Sequence, residues 1–153
     1  MPPVFGGKQP GALKAVVRLV ESVIEELGIP PAEAHIPSKE GPLWGLMKGS
    51  AEVYVSLTEG EDQPYFHVFS PVMPLLEENL APLCRRLLEL NCDELTGAAF
   101  GMRGDRVVVC ADRPVSDLDR SEVKEMIVRV GTYSDHYDDM LVAEFGGRKH
   151  SEA

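Results

Sequence analysis

At 153 residues, 44% hydrophobic and 26% charged, the chain has the composition of one folded domain with its own core, which excludes wholesale disorder. No apolar stretch approaches the ~20 residues that a helical membrane crossing needs. The net charge of −10 comes without a basic stripe, so direct binding to nucleic acid is not expected.

The first residues, MPPVFGGKQPG, lack a charged segment followed by an apolar one, so they do not read as a secretory signal, and the cytoplasm is the expected location. Residues 1–11 and the polar residues 146–153 are expected to be flexible, flanking a single domain over residues 12–145. From Ala12 to Leu27, Leu13, Val16, Val17, Val20, Val23, Ile24 and Leu27 recur at helical spacing, and Gly28 supplies the C-cap before Pro30 and Pro31. A proline-rich loop continues to Pro42.

Leu43 to Lys48 and Glu52 to Leu57 read as strands joined at Gly49-Ser50, the second alternating between Val53, Val55, Leu57 and Glu52, Tyr54, Ser56. A third strand, Tyr65 to Phe69, carries apolar or aromatic residues on both faces and is expected to end at Ser70-Pro71. The middle helix runs to Leu90 with Asn79 as its N-cap, Pro82 in the tolerant first turn, and Leu83, Leu87 and Leu90 as its buried stripe. Strands from Leu95 to Met102 and Arg106 to Ala111 flank the loop Arg103-Gly104-Asp105. The last helix opens on a capping box, Asp119 with Glu122, and runs through Ile127, Val130, Ser134, Tyr137 and Leu141 to about Phe145. The order is α-β-β-β-α-β-β-α: an α+β domain with three helices and a mostly antiparallel five-stranded sheet.

No motif carries catalytic chemistry. Cys84, Cys92 and Cys110 are odd in number and lack Cys-x-x-Cys spacing, which argues for reduced, mostly buried thiols and against a zinc site. In Ser134-Asp135-His136-Tyr137-Asp138-Asp139 only Asp135 and Asp139 share a helix face, so the group reads as a solvated helix surface with no metal expected. His67 reads as a structural histidine, since no serine or cysteine is placed by the sequence to be its nucleophile. No cofactor and no catalytic residue are assigned.

The order of elements, with Gly49-Ser50-Ala51, LLELN at 87–91, TGAAF at 96–100, VVVCADRP at 107–114 and LDRSEV at 118–123, resembles the YbjN family, whose fold is shared with type III secretion chaperones. The resemblance covers Leu13 to Leu141 and rests on packing and turn motifs. It implies a non-enzymatic protein, commonly a homodimer, that holds or presents another protein.

The residues add two expectations of their own. Strands with two apolar faces need cover beyond three helices on one side, so a homodimer is expected in which the middle helix, with Leu83 and Leu87, and the hairpin, with Phe100 and Val108, form the interface; helices split across both faces would be the alternative. Trp44, Tyr54, Tyr65 and Phe69 are the candidates for holding a partner segment on a sheet face or edge, against the alternative of core packing. The acid surplus lies in the middle third, where residues 51–100 hold 9 acidic against 2 basic side chains, and would favour a basic partner. The expected function is a chaperone-like or regulatory adaptor. The alternatives are an accessory factor acting on a basic nucleic-acid-binding protein, and a metal- or thiol-dependent enzyme.

Overall fold

The computed structural model describes residues 10–152. Its elements are α1 (Pro10–Glu26), α2 (Pro31–Ala34), β1 (Leu43–Lys48), β2 (Ala51–Glu59), β3 (Pro64–Pro74), α3 (Leu80–Asp93), β4 (Ala99–Arg103), β5 (Arg106–Pro114) and α4 (Arg120–Phe145). The strands form one antiparallel sheet in the order β1-β2-β3-β5-β4. This is the expected α+β sheet with one helix more: α2 is a single turn inside the proline-rich loop, started by Pro31 at its first position.

Side chains alternate across the sheet, so β2 buries Val53, Val55 and Leu57, β3 buries Phe66 and Val68, and β5 buries Val107, Val109 and Ala111 against the helices. α4 lies across this inner face, α1 packs on α4, and α3 closes the side next to β4. Val20, Val23, Ile24, Leu83, Leu87, Leu90, Ile127, Val130 and Leu141 from the helices join the strands in one core. The α-helices therefore share one face, and among the described residues no α-helix covers the other, which only the short 3-10 turn His150–Glu152 reaches at the Glu52 end of the sheet.

Several boundaries differ from expectation for physical reasons. β3 does not stop at Ser70-Pro71 but continues to Pro74, with its register on β5 shifting between Pro71 and Met73. The pairing with β2 ends at Tyr54↔Phe69, so Pro71 needs no amide on that side, and Ser70 instead donates its hydroxyl to the Glu52 carbonyl at 2.6 Å. Asn79 precedes α3 but caps it with no side-chain bond; its amide donates to the Phe145 carbonyl at 3.0 Å. Pro82 falls in the first turn of α3, as its missing N–H requires. Asp119 and Glu122 form the reciprocal capping box at the start of α4. Leu95 to Ala98 lie before β4 rather than within it.

The Ser134 to Asp139 segment is not a plain solvated face. Ser134 and Asp138 are buried, and Asp135 accepts from both the backbone N–H (2.9 Å) and hydroxyl (2.6 Å) of Ser50, fastening the β1–β2 turn to α4. Those bonds hold the Asp135 carboxyl below the usual carboxylate range, whereas burial pushes that of Asp138 up. Beyond Gly146 the chain crosses the end of the sheet: Lys149 pairs with Asp139 at 3.0 Å and His150 donates to Glu52 at 3.1 Å.

Candidate functional site

The uncovered outer face of the sheet is where the candidate site lies. β2 presents Tyr54, Ser56 and Thr58 there, β3 presents Tyr65, His67 and Phe69, β5 presents Cys110 and Asp112, and β4 ends on Arg103. Tyr54 and Phe69 are cross-strand partners whose rings stack 5.2 Å apart. The Arg103 guanidinium sits over the opposite end of this pair, 4.1 Å from the Phe69 ring centre. Tyr65 stands further along the strand, stacked toward His67.

Beside these rings opens a pocket of about 490 Å³ lined by Leu43, Thr58, His67, Phe69 and Arg103 and walled by residues 38–42. Gly41 sets that wall: a Cβ there would lie 2.8 Å from the Leu57 carbonyl, and its φ of +127° suits glycine. His67 is fully engaged, as expected of a structural histidine. The Asp112 carboxylate can only accept, so Nδ1 donates to it, while Nε2 and the Thr58 hydroxyl share a hydrogen bond of 2.6 Å. Thr58 is the partner that sequence reasoning missed, because it stands diagonally across the strand pair and nine residues away.

Both sheet edges are partly occupied. On β4, Asn91 of α3 donates to the Phe100 carbonyl (3.1 Å) and accepts from the Phe100 N–H (2.7 Å). On β1, the His35–Ile36 segment bridges Trp44 and donates to the Leu43 carbonyl at 2.8 Å. Neither edge offers a long run of free backbone for strand addition.

The sequence-based candidates divide between the faces. Tyr54, Tyr65 and Phe69 come together on the outer face. Trp44 does not: it is 1% exposed on the inner face, with its indole N–H donated to Glu21 of α1, because its position in β1 pairs with the inward Val55. Leu83, Leu87 and Phe100 belong to the chain's own core, and Val108 is buried although it points toward the outer face. The apolar surface α3 presents outward is instead Leu80 and Leu88, with Met102 exposed on the neighbouring β4. The cysteines are all free, but none is fully buried and Cys92 is exposed. Cys110 has its thiol pushed up by burial, with Asp112 adding to the effect and Arg103 opposing it. Among the described residues no group of His, Cys, Asp and Glu is arranged to hold a metal, and no helix is long and apolar enough to cross a membrane.

An antiparallel sheet backed by α-helices on one face is a fold known from other proteins. Residues 12–153 match the model of the family described as T3SS (YopN, CesT) and YbjN peptide-binding chaperone 1, and the chain belongs to that family. The fold is similar to that in the crystal structure of the ExsC-ExsE complex, with a TM-score of 0.57 at 15% identity over 84% of this chain and 94% of that one. It is also similar to that in the HopA1-SchA chaperone-effector complex, with a TM-score of 0.58 at 10% identity over 81% and 93% of the two chains. YbjN from E. coli aligns at 16% identity over 78% and 88%, with a TM-score of 0.49. No curated protein matches the chain by sequence.

Proposed function

We propose that this protein is a non-enzymatic chaperone-like adaptor that holds an extended segment of another protein against the outer face of its sheet. The observation that carries this reading is the row Tyr54–Phe69–Tyr65 on a face that no α-helix among the described residues covers, beside two partly occupied edges. Aromatic side chains supply large contact area at low entropic cost, which suits recognition of a segment without regular structure. The face, rather than an edge, is the contact surface. The net charge of −10 favours encounter with partners that are basic overall, and a cytoplasmic setting agrees with three free cysteines.

The same reading includes a homodimer. Its interface is the outward side of α3 with β4, where Leu88 is 68% and Met102 55% exposed. Leu83, Leu87 and Phe100 support that surface from within.

Affinity capture of the tagged protein from its own cells, with the mass of the complex, tests the reading. One stoichiometric protein partner that is lost with Tyr54→Glu, while the variant keeps its melting temperature, is the expected result. Capture unchanged by Tyr54→Glu removes this face as the binding surface.

A further inference from the structure

Arg103 is placed as a recognition group. It is exposed, its guanidinium carbon lies over the Phe69 ring, 4.1 Å from the ring centre, and it lines the pocket shared by His67 and Thr58. Among the described residues it has no carboxylate within 4.0 Å and donates no hydrogen bond, so its five N–H donors have no acceptor there. Directly opposite, across the β4–β5 pair, stands Arg106, whose Nη1 is buried without an acceptor and whose nearest carboxylate, Asp105, is 3.9 Å away. Two like charges facing each other across strands destabilise a sheet unless an anion relieves them.

We infer that Arg103 anchors one acidic side chain, an Asp or Glu, in the middle of the segment held on the outer face. The inference rests on that face being the binding surface. The planar fork of arginine matches a carboxylate bidentately, and its contact with the Phe69 ring positions it beforehand. Apolar neighbours of the acidic residue then meet Tyr54 and Phe69 on one side and Leu43 and Tyr65 on the other. A single carboxylate is selected over a phosphate or an acidic run because Glu40 and Asp112 already border the site and the whole chain carries −10. An internal side chain, rather than a chain terminus, satisfies contacts on both sides of the arginine.

Panning a phage-displayed random dodecapeptide library against the full-length protein, Arg103→Gln and Tyr54→Glu tests this. Wild type should enrich peptides with one Asp or Glu between apolar residues. In a synthetic, end-capped version of the best binder, replacing that acid by its amide should weaken binding to wild type about tenfold and leave binding to Arg103→Gln unchanged. Arg103→Lys, which keeps charge but loses the fork, should fall between. Binders that need Tyr54 but show no acidic preference, or an acid-to-amide loss that persists in Arg103→Gln, overturn the anchor alone. Binders indifferent to Tyr54→Glu, or a library without binders, overturn the face and the anchor together.

Discussion

The Asn91 side chain and the Phe100 main chain exchange two hydrogen bonds, 2.7 and 3.1 Å long, so a helix side chain stands in for a sixth strand at the β4 edge. Asn91→Ala strips Phe100 of both partners. A loss of about 1–3 kcal/mol in urea unfolding is expected, together with stronger concentration-dependent self-association by light scattering as the edge opens. Unchanged association would mean that the edge is guarded by something other than Asn91.

Asp135 fastens the β1–β2 turn through Ser50, and Asp135→Asn should cost about 1–2 kcal/mol at neutral pH. Its carboxyl is held below its unfolded value, so the stabilisation is present above the ordinary carboxylate range and is lost as pH falls through the folded pKa. The wild-type advantage over Asp135→Asn should therefore shrink in acid. Asp138 runs the other way: burial raises its pKa, so its ionisation weakens the fold as pH climbs through the carboxylate range, and Asp138→Asn should be tolerated better at neutral pH than Asp135→Asn.

Gly131 lets α4 approach the β1–β2 hairpin, because a Cβ there would lie 2.6 Å from Lys48 Cγ, 2.7 Å from Lys48 Cβ and 3.1 Å from Val53 Cγ2. Gly131→Ala is expected to lose about 1–3 kcal/mol despite its better helix propensity. Lys48→Gly in the same chain should recover part of that loss. Additive losses in the thermal melts of the single and double variants would place the strain elsewhere.

Tyr137 donates to Glu94 at 2.6 Å, and burial followed by that carboxylate pushes its phenol up to about 12. The folded state thus keeps a proton that the unfolded chain releases near pH 10, so stability falls between about pH 10 and 12. Alkaline absorbance titration should show late phenol ionisation from Tyr137 and from Tyr54, which burial and Glu52 also push up, and Tyr137→Phe should remove the Tyr137 share and flatten the alkaline loss.

Leu88→Glu should convert a dimer to a monomer in light scattering with little change in the melting temperature, since Leu88 touches no core that burial would protect. A wild-type monomer at micromolar concentration would sink the proposed interface.

Much of the fold was legible because its signals are local. The capping box at Asp119 and Glu122, the glycine after α1 and the alternation in β2 each act within a few residues. Less local facts were hidden. That β3 outlasts Pro71 depends on where β2 stops pairing, and that Trp44 points inward depends on register with Val55. The same holds for the site: Tyr54, Tyr65 and Phe69 could be grouped from strand alternation, whereas Arg103 reaches Phe69 from two strands away in a sheet order that no single strand encodes. The expected loop Arg103-Gly104-Asp105 is a two-residue turn, with Gly104 at φ +60°, and Arg103 is instead the last paired residue of β4, which the loop reading concealed.

Glu52 accepts from both the Tyr54 hydroxyl and His150, and Tyr54 in turn stacks on Phe69. The segment around His150 is thereby wired to the aromatic row. A fluorophore attached near His150 would sit one side chain away from Tyr54 and report on occupancy of that row directly, while an affinity handle joined at the same place would crowd it. For this molecule a label placed beside His150 is itself a perturbation of the surface under study.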